Sequence, residues 1–241
     1  MSGICGIYSL TDVTQASQAI LNKMLAVIDP LNSGRRRSFV DLTAGVALGH
    51  TGCPTIKGQT FSVQQNWNED GNHVAVLDGA IANSADFLPP RGRAWHQGSS
   101  PRAAVEYLRQ APLDFPMQLT GQFCLTVWAK KQKELWLVHV GVGKKPLYYA
   151  YFPNVILLFA SEWKSILAHP AFSSVMNQKA LTAYLNLGYV PSPLNLLEGI
   201  QKTVPGEALR ITELGRMTRR QIGKATNHTR FPRLESQSNG R

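Results

Sequence analysis

The hydrophobic positions of this chain fall into helical stripes and extended runs that do not alternate as βαβ units. In "ASQAILNKMLAVID", Ile20, Met24, Val27 and Ile28 recur at helical spacing and Leu21 and Leu25 widen the stripe, which predicts an amphipathic helix ended by Pro30. Ser33 to Asp41 is polar and basic and reads as a loop, after which "AGVALGH" reads as a short strand running into His50. Gly52, Pro54 and Gly58 mark the loop that follows. "FSVQQNWNEDGNHVAVLDG" places two extended runs on either side of Asp70-Gly71, a dipeptide suited to the positive φ angles of a tight hairpin turn. On the returning strand, Val74, Val76 and Asp78 share one face and Ala75 and Leu77 the other.

"SPRAAVEYLRQAP" predicts a second helix, capped by Ser100, with Pro101 at its first position and Pro112 at its end. "LTGQFCLTVWAKKQKELWLVHVG" then gives two β-rich runs joined by a lysine-rich turn, and "KPLYYAYFPNVILLFASE" gives two more, broken at Pro153-Asn154. "EWKSILAHP" and "NQKALTAYLNLGYV" return to helical patterning, ended by Pro170 and Gly188. Hairpins with helices grouped between them argue for an α+β layered fold. Runs such as "FCLTVW" and "VILLFA" are apolar on both faces, which two antiparallel sheets stacked face to face with helices outside would explain.

Composition sets limits on function. The longest purely apolar run, Val155 to Ala160, is far short of the ~20 residues of a membrane span, and no charged start leads into an apolar segment, so a cytoplasmic protein with no membrane partner is expected. Cys5, Cys53 and Cys124 form no C-x-x-C pair and no zinc spacing, so neither a disulfide framework, a metal nor a cofactor is expected. No G-x-G-x-x-G or P-loop pattern appears, which argues against dinucleotide and P-loop enzymes. Of the net charge of +10, most lies between Arg216 and Arg241, where seven basic residues face one acid, Glu235. That stretch reads as a solvated tail, and the lack of interleaved aromatics argues against nucleic acid.

Seven stretches occur in the order and spacing of a known family. "CGIY" at Cys5, "ALGH" at Ala47, "DGAIAN" at Asp78, "LTGQF" at Leu119, "GKKPLYY" at Gly143, "FASEWKSIL" at Phe159 and "LNLGYVPSP" with "GIQKTVPGEAL" resemble the glutamine-hydrolysing domain of asparagine synthetase. The resemblance implies a class II amidotransferase of the N-terminal-nucleophile type. It implies a four-layer α-β-β-α sandwich over residues 1–215, a basic tail over 216–241, and no synthetase domain. Glutamine is the implied substrate and a separate synthetase the implied partner.

The resemblance also answers what Cys5 could do, which the local sequence leaves open between a buried strand residue, a spare thiol and a nucleophile. A cysteine at a true N-terminus has an α-amine of pKa ~8 that can take its thiol proton, and the thiolate attacks the glutamine side-chain amide. Here Ser2, Gly3 and Ile4 precede it, so the base exists only if the Ile4–Cys5 bond is cleaved. The family's oxyanion asparagine aligns with Asp78, followed by Gly79, and Asn83 is retained. His50 is followed by Thr51 where the family has a carboxylate-binding arginine, and Ser100 stands at the place of its ammonium-binding aspartate. Two functions follow from these residues: a glutamine-hydrolysing domain built on Cys5, Asp78 and Gly79 with a pocket at His50, Thr51, Asn83 and Ser100, or a non-catalytic remnant that acts as an interaction or regulatory module.

Overall fold

The computed structural model of the chain describes residues 2–30, 36–52, 55–56, 59–60, 67–88, 101–191 and 193–222. Its strands are β1 (Gly3–Ser9), β2 (Arg36–Asp41), β3 (Val46–Thr51), β4 (Thr55–Ile56), β5 (Gln59–Thr60), β6 (Trp67–Glu69) and β7 (His73–Ile81). The second half adds β8 (Gly121–Ala129), β9 (Glu134–Val140), β10 (Tyr148–Phe152), β11 (Ile156–Ala160), β12 (Ile200–Lys202), β13 (Glu207–Ile211) and β14 (Met217–Gln221). The helices are α1 (Gln18–Ile28), α2 (Ser84–Phe87), α3 (Pro101–Gln110), α4 (Trp163–Leu167) and α5 (Gln178–Leu187).

Among the described residues the strands form two six-stranded antiparallel sheets, in the orders β12-β10-β11-β1-β3-β2 and β14-β13-β9-β8-β7-β6, beside the small β4-β5 pair. Strand alternation assigns each sheet an inner and an outer face. Ile4, Tyr8, Leu48, Leu157 and Phe159 of the first sheet meet Val74, Val76, Trp128 and Leu137 of the second in one buried cluster. The opposite face of the first sheet, with Cys5, Ile7, Ala47 and Leu158, packs on Leu21, Met24, Leu25 and Ile28 of α1 and Ile166 of α4. The outer face of the second, with Leu77, Leu125 and Val138, packs on Ala104, Val105 and Leu108 of α3. This is the α-β-β-α sandwich, and it leaves β1 and β8 without a wet side.

Most of the patterned elements are present, with differences that have physical causes. The buried stripe of α1 is Leu21, Met24, Leu25 and Ile28, while Ile20 and Val27 are only half-buried, because at 3.6 residues per turn they fall on its flank. The β6-β7 hairpin forms, but Gly71 is not among the positive-φ residues. Its turn is closed instead by Asp70, whose Oδ1 accepts from the N–H groups of Asn72 and His73 at 2.8 Å each. Arg36–Asp41, expected as loop, is the edge strand β2. β14 pairs with β13 from Met217 to Gln221, so the sheet runs past residue 215, where the tail was expected to begin. Ser100, the expected cap of α3, lies outside the described residues, as do Cys53 and residues 223–241.

Candidate active site

The register of β1 decides which of its residues can reach a site between the sheets. Gly3, Cys5 and Ile7 alternate with Ile4 and Tyr8, and the latter two belong to the inter-sheet cluster. Ser2 therefore falls on the inner side, three residues and one change of face from Cys5. Its hydroxyl donates to Asp78 Oδ1 at 2.7 Å. Lys145 completes the group, its ammonium 2.9 Å from the same Asp78 oxygen and 3.1 Å from Ser2 Oγ. Asp78 is almost wholly buried, whereas Lys145 keeps 31% of its side chain exposed. The three residues line the rim of a cavity of about 370 Å³ together with Lys144, Ser161 and Glu162.

Each member is held by its own element. Asp78 stands on β7 opposite Cys124 of β8, and Gly79 follows at φ 121°. A Cβ at Gly79 would come within 2.2 Å of the Gln122 carbonyl oxygen, so only glycine fits where β7 passes this close to β8. Lys145 sits on the loop after β9, which is tied down at both ends. Gln122 Oε1 accepts from the Val142 N–H at 3.1 Å, and Cys124 Sγ lies 3.1 Å from the Lys145 carbonyl oxygen. At the far end the Thr203 hydroxyl donates to the Leu147 carbonyl at 3.0 Å. Having used its one proton there, Thr203 can only accept from His139, so Nδ1 of His139 carries the hydrogen of their 2.8 Å bond.

Cys5 is not part of this group. It is 1% exposed and faces α1 and α4. Burial pushes its thiol up to about 12, against weaker opposing effects of a hydrogen bond with Ser165 and the charge of Arg36. The structure therefore places Cys5 in the layer between the first sheet and α1, where a thiol is rarely thiolate. Alkylation of the native protein near pH 8 should leave Cys5 and Cys124 unmodified under conditions that label both after unfolding. At a pKa near 12 the thiolate fraction of Cys5 is only about 10⁻⁴. Peptide mapping by mass spectrometry reads the result, and comparable labelling of native Cys5 would contradict its placement.

The remaining expected residues divide. His50 lies on the inner face beside Ile4, close enough to Asp78 and Lys145 that their charges act on it, and burial lowers it to about 4. It is therefore a neutral imidazole. Thr51 is buried opposite Gly3 on the α1 side of the sheet and does not line the cavity. Asn83 is engaged in the fold. Its Nδ2 donates to the Gln118 carbonyl at 2.8 Å and its Oδ1 accepts from the Thr120 N–H at 2.9 Å, so both ends of the amide hold a loop.

Reading motifs missed Ser2 and Lys145. The opening contains two overlapping triplets, Ser2-Gly3-Ile4 and Cys5-Gly6-Ile7, and the choice of the second shifts the register by three. An odd shift reverses the face of every side chain, so the parity of Ile4 and Tyr8 against Cys5 and Ile7 carried the missing signal.

The fold of two stacked sheets is shared with known proteins. The glutamine amidotransferase domain family matches residues 1–221. Glutamine-hydrolyzing asparagine synthetase 2 of Bacillus subtilis (strain 168) is 26% identical over 183 residues, covering 74% of this chain and 24% of its own length. Asparagine synthetase 3 of the same organism is also 26% identical, over 165 residues and 25% of its length. The chain thus spans about a quarter of the length of the curated relatives it matches. Among solved structures, the glutamine phosphoribosylpyrophosphate amidotransferase of B. subtilis superposes with a TM-score of 0.55 at 14% identity, over 92% of this chain and 49% of that one, a likeness of fold. With the family match running through the whole double sheet, the chain belongs to the glutamine amidotransferase domain family and is related to the asparagine synthetases.

Proposed function

We propose that this domain holds its nucleophile position with Ser2 and no longer hydrolyses glutamine, serving instead as the docking module of an amide-forming synthetase. The observation that carries this reading is the closed contact of Ser2, Asp78 and Lys145. Removal of Met1 would put the Ser2 α-amine at the chain start, in the place that N-terminal-nucleophile chemistry requires, whereas Cys5 would need cleavage after Ile4. Yet Ser2 Oγ already gives its proton to Asp78 and accepts from the Lys145 ammonium, which draws electron density from the oxygen that would attack. The buried Asp78 carboxylate adds an anion where an oxyanion would develop. An oxyanion hole works through donors aimed at the developing charge, each worth roughly 3 kcal/mol, and a carboxylate there acts with the opposite sign.

The test is an intact mass after incubation with an electrophilic glutamine analogue, alongside an assay of ammonia release from glutamine. No adduct and no ammonia above the rate of a Ser2→Ala variant are expected. A single adduct that maps to Ser2 and vanishes in Ser2→Ala would overturn the reading in favour of a serine-based amidohydrolase.

The docking role is supported by α5. It buries only Ala180, while Tyr184, Leu185 and Leu187 stay exposed, as does Tyr189 beyond its Gly188 cap. Single exposed apolar residues are ordinary, but a cluster on one short helix marks an interface. The relatives are named as synthetases, and the matched part of this chain covers only about a quarter of their length, so the occupant we assign is a synthetase polypeptide. In a mixture with an asparagine-synthetase-type polypeptide from the same source, hydrogen exchange should slow at residues 178–187. Unchanged exchange across α5 would remove the docking assignment.

A further inference from the structure

We propose that a cavity on the outer face of the second sheet, far from Ser2, binds a small polyanion whose charge is carried by carboxylate or phosphate groups. The cavity measures about 560 Å³ and lies between the C-terminal end of α3, the turn after β8, and strands β9, β13 and β14. It forms because α3 covers the middle of this sheet while the outer face of β13 and β14 carries Arg210 and Arg220 in place of apolar residues.

Its floor is Trp136, which is 2% exposed. Arg210 is the direct cross-strand neighbour of Trp136, and Arg220 stands opposite Ala208, two residues along β13, on the same face. Their guanidinium carbons lie 5.6 and 5.8 Å from the indole centroid, within cation–π range of the aromatic surface. Phe115 meets the same indole edge-on at 5.2 Å. The indole N–H has no hydrogen-bond partner among the described residues, although it is buried.

The charge balance points the same way. Arg210 is paired with Glu134, and Arg109 with Asp70 and Glu106, so the acids nearest the cavity are already taken. Arg220 has the Leu113 carbonyl oxygen at 2.5 Å, and no carboxylate of the described residues lies within 4 Å of Arg220 or Lys131. His73, also on the wall, has been pushed down by burial and does not supply a further fixed charge. What remains is a concave site floored by Trp136, with one internally neutralised pair, Glu134 and Arg210, and two cations without acidic partners among the described residues, Arg220 and Lys131. Solvated basic faces lack the floor and the concavity, and the geometry suits an anion that can take two charge-assisted hydrogen bonds at once. The segment after Ile222 does not fit as occupant, since it carries Lys224, Arg230, Arg233 and Arg241 against Glu235.

The test is isothermal titration of the full chain at low salt with two probes, inorganic pyrophosphate and citrate, and a parallel record of the indole N–H resonances. One-site binding of either probe is expected, with the Trp136 resonance, assigned from Trp136→Phe, among those that move. Arg220→Gln and Lys131→Gln should each weaken binding by about tenfold, the loss of one charge-assisted hydrogen bond. Lys164→Gln, an exposed lysine on α4, and Ser2→Ala should leave it unchanged. Binding of pyrophosphate alone assigns a phosphate ligand, and of citrate alone a carboxylate one. No heat with either probe overturns the proposal, and so does binding that Lys164→Gln weakens as much as Arg220→Gln, because that result belongs to a diffuse positive surface.

Discussion

Replacing Lys145 with methionine should destabilise the protein by about 3 kcal/mol at neutral pH, measured by urea unfolding. Removing one partner of a buried pair leaves the other charge without compensation, which costs roughly 3–5 kcal/mol, and the lower end applies because Lys145 is partly exposed. Among the described residues Lys145 is the one cation paired with Asp78, and the other contact of its carboxylate is Ser2. The double variant Asp78→Asn with Lys145→Met should regain most of the loss, because a neutral amide needs no counter-ion and can still accept from Ser2 Oγ. The difference between the double and single variants isolates the ion pair from the packing of the lysine stem. If Lys145→Met alone cost less than about 1 kcal/mol, Asp78 would be satisfied by water, and the closed contact would not be what occupies the site.

Acidification should be the other large effect. His50 and His139 are both fully buried, and burial lowers each from 6.5 to about 4. For His50 the Asp78 carboxylate opposes that shift and Lys145 adds to it, and for His139 Lys202 adds to it. The unfolded chain then binds protons that the folded chain refuses, so stability is complete above the unfolded value near 6.5 and falls as the pH drops from there toward 4. Each histidine contributes up to about 3 kcal/mol over that window. Unfolding free energies measured across the range should lose about twice that in the native sequence and about half as much in His50→Gln or His139→Gln. A slope that neither substitution changes would mean that the carboxylates, not these imidazoles, govern acid unfolding.

How far the sequence foretells this structure depends on where each residue sits. The stripe of α1 and the apolar runs of β8, β9 and β11 were legible because burial on both sides leaves a dense periodic pattern. Strands β2 and β14 were not, because Arg36, Arg37 and Ser38, or Thr218, Arg219 and Arg220, lie on sheet edges where side chains stay wet and propensity is weak. The candidate site was half legible. Asp78 and Gly79 stand out on β7, and their place on the inner face follows from counting by twos. Lys145 lies in the quoted "GKKPLYY", yet nothing local says that it will meet Asp78, since that meeting depends on one sheet being stacked on the other. Cys5 stands out because its residue type signals chemistry more loudly than Ser2 does, while the register of one strand puts the two on opposite faces.

The place of β1 in the first sheet also sets an order of events during synthesis. Its partner on one side, β3, is made within the first 51 residues, but its partner on the other, β11, ends at Ala160. At roughly 5–20 residues per second a ribosome needs on the order of 5 to 20 seconds to travel between them. For that interval the nascent chain carries an apolar ribbon with one bare edge, which is the species that holdase chaperones recognise and that pairs with its own copies when they are absent. Yield of the intact chain should therefore respond to translation speed and chaperone supply more than to the stability of the finished sandwich.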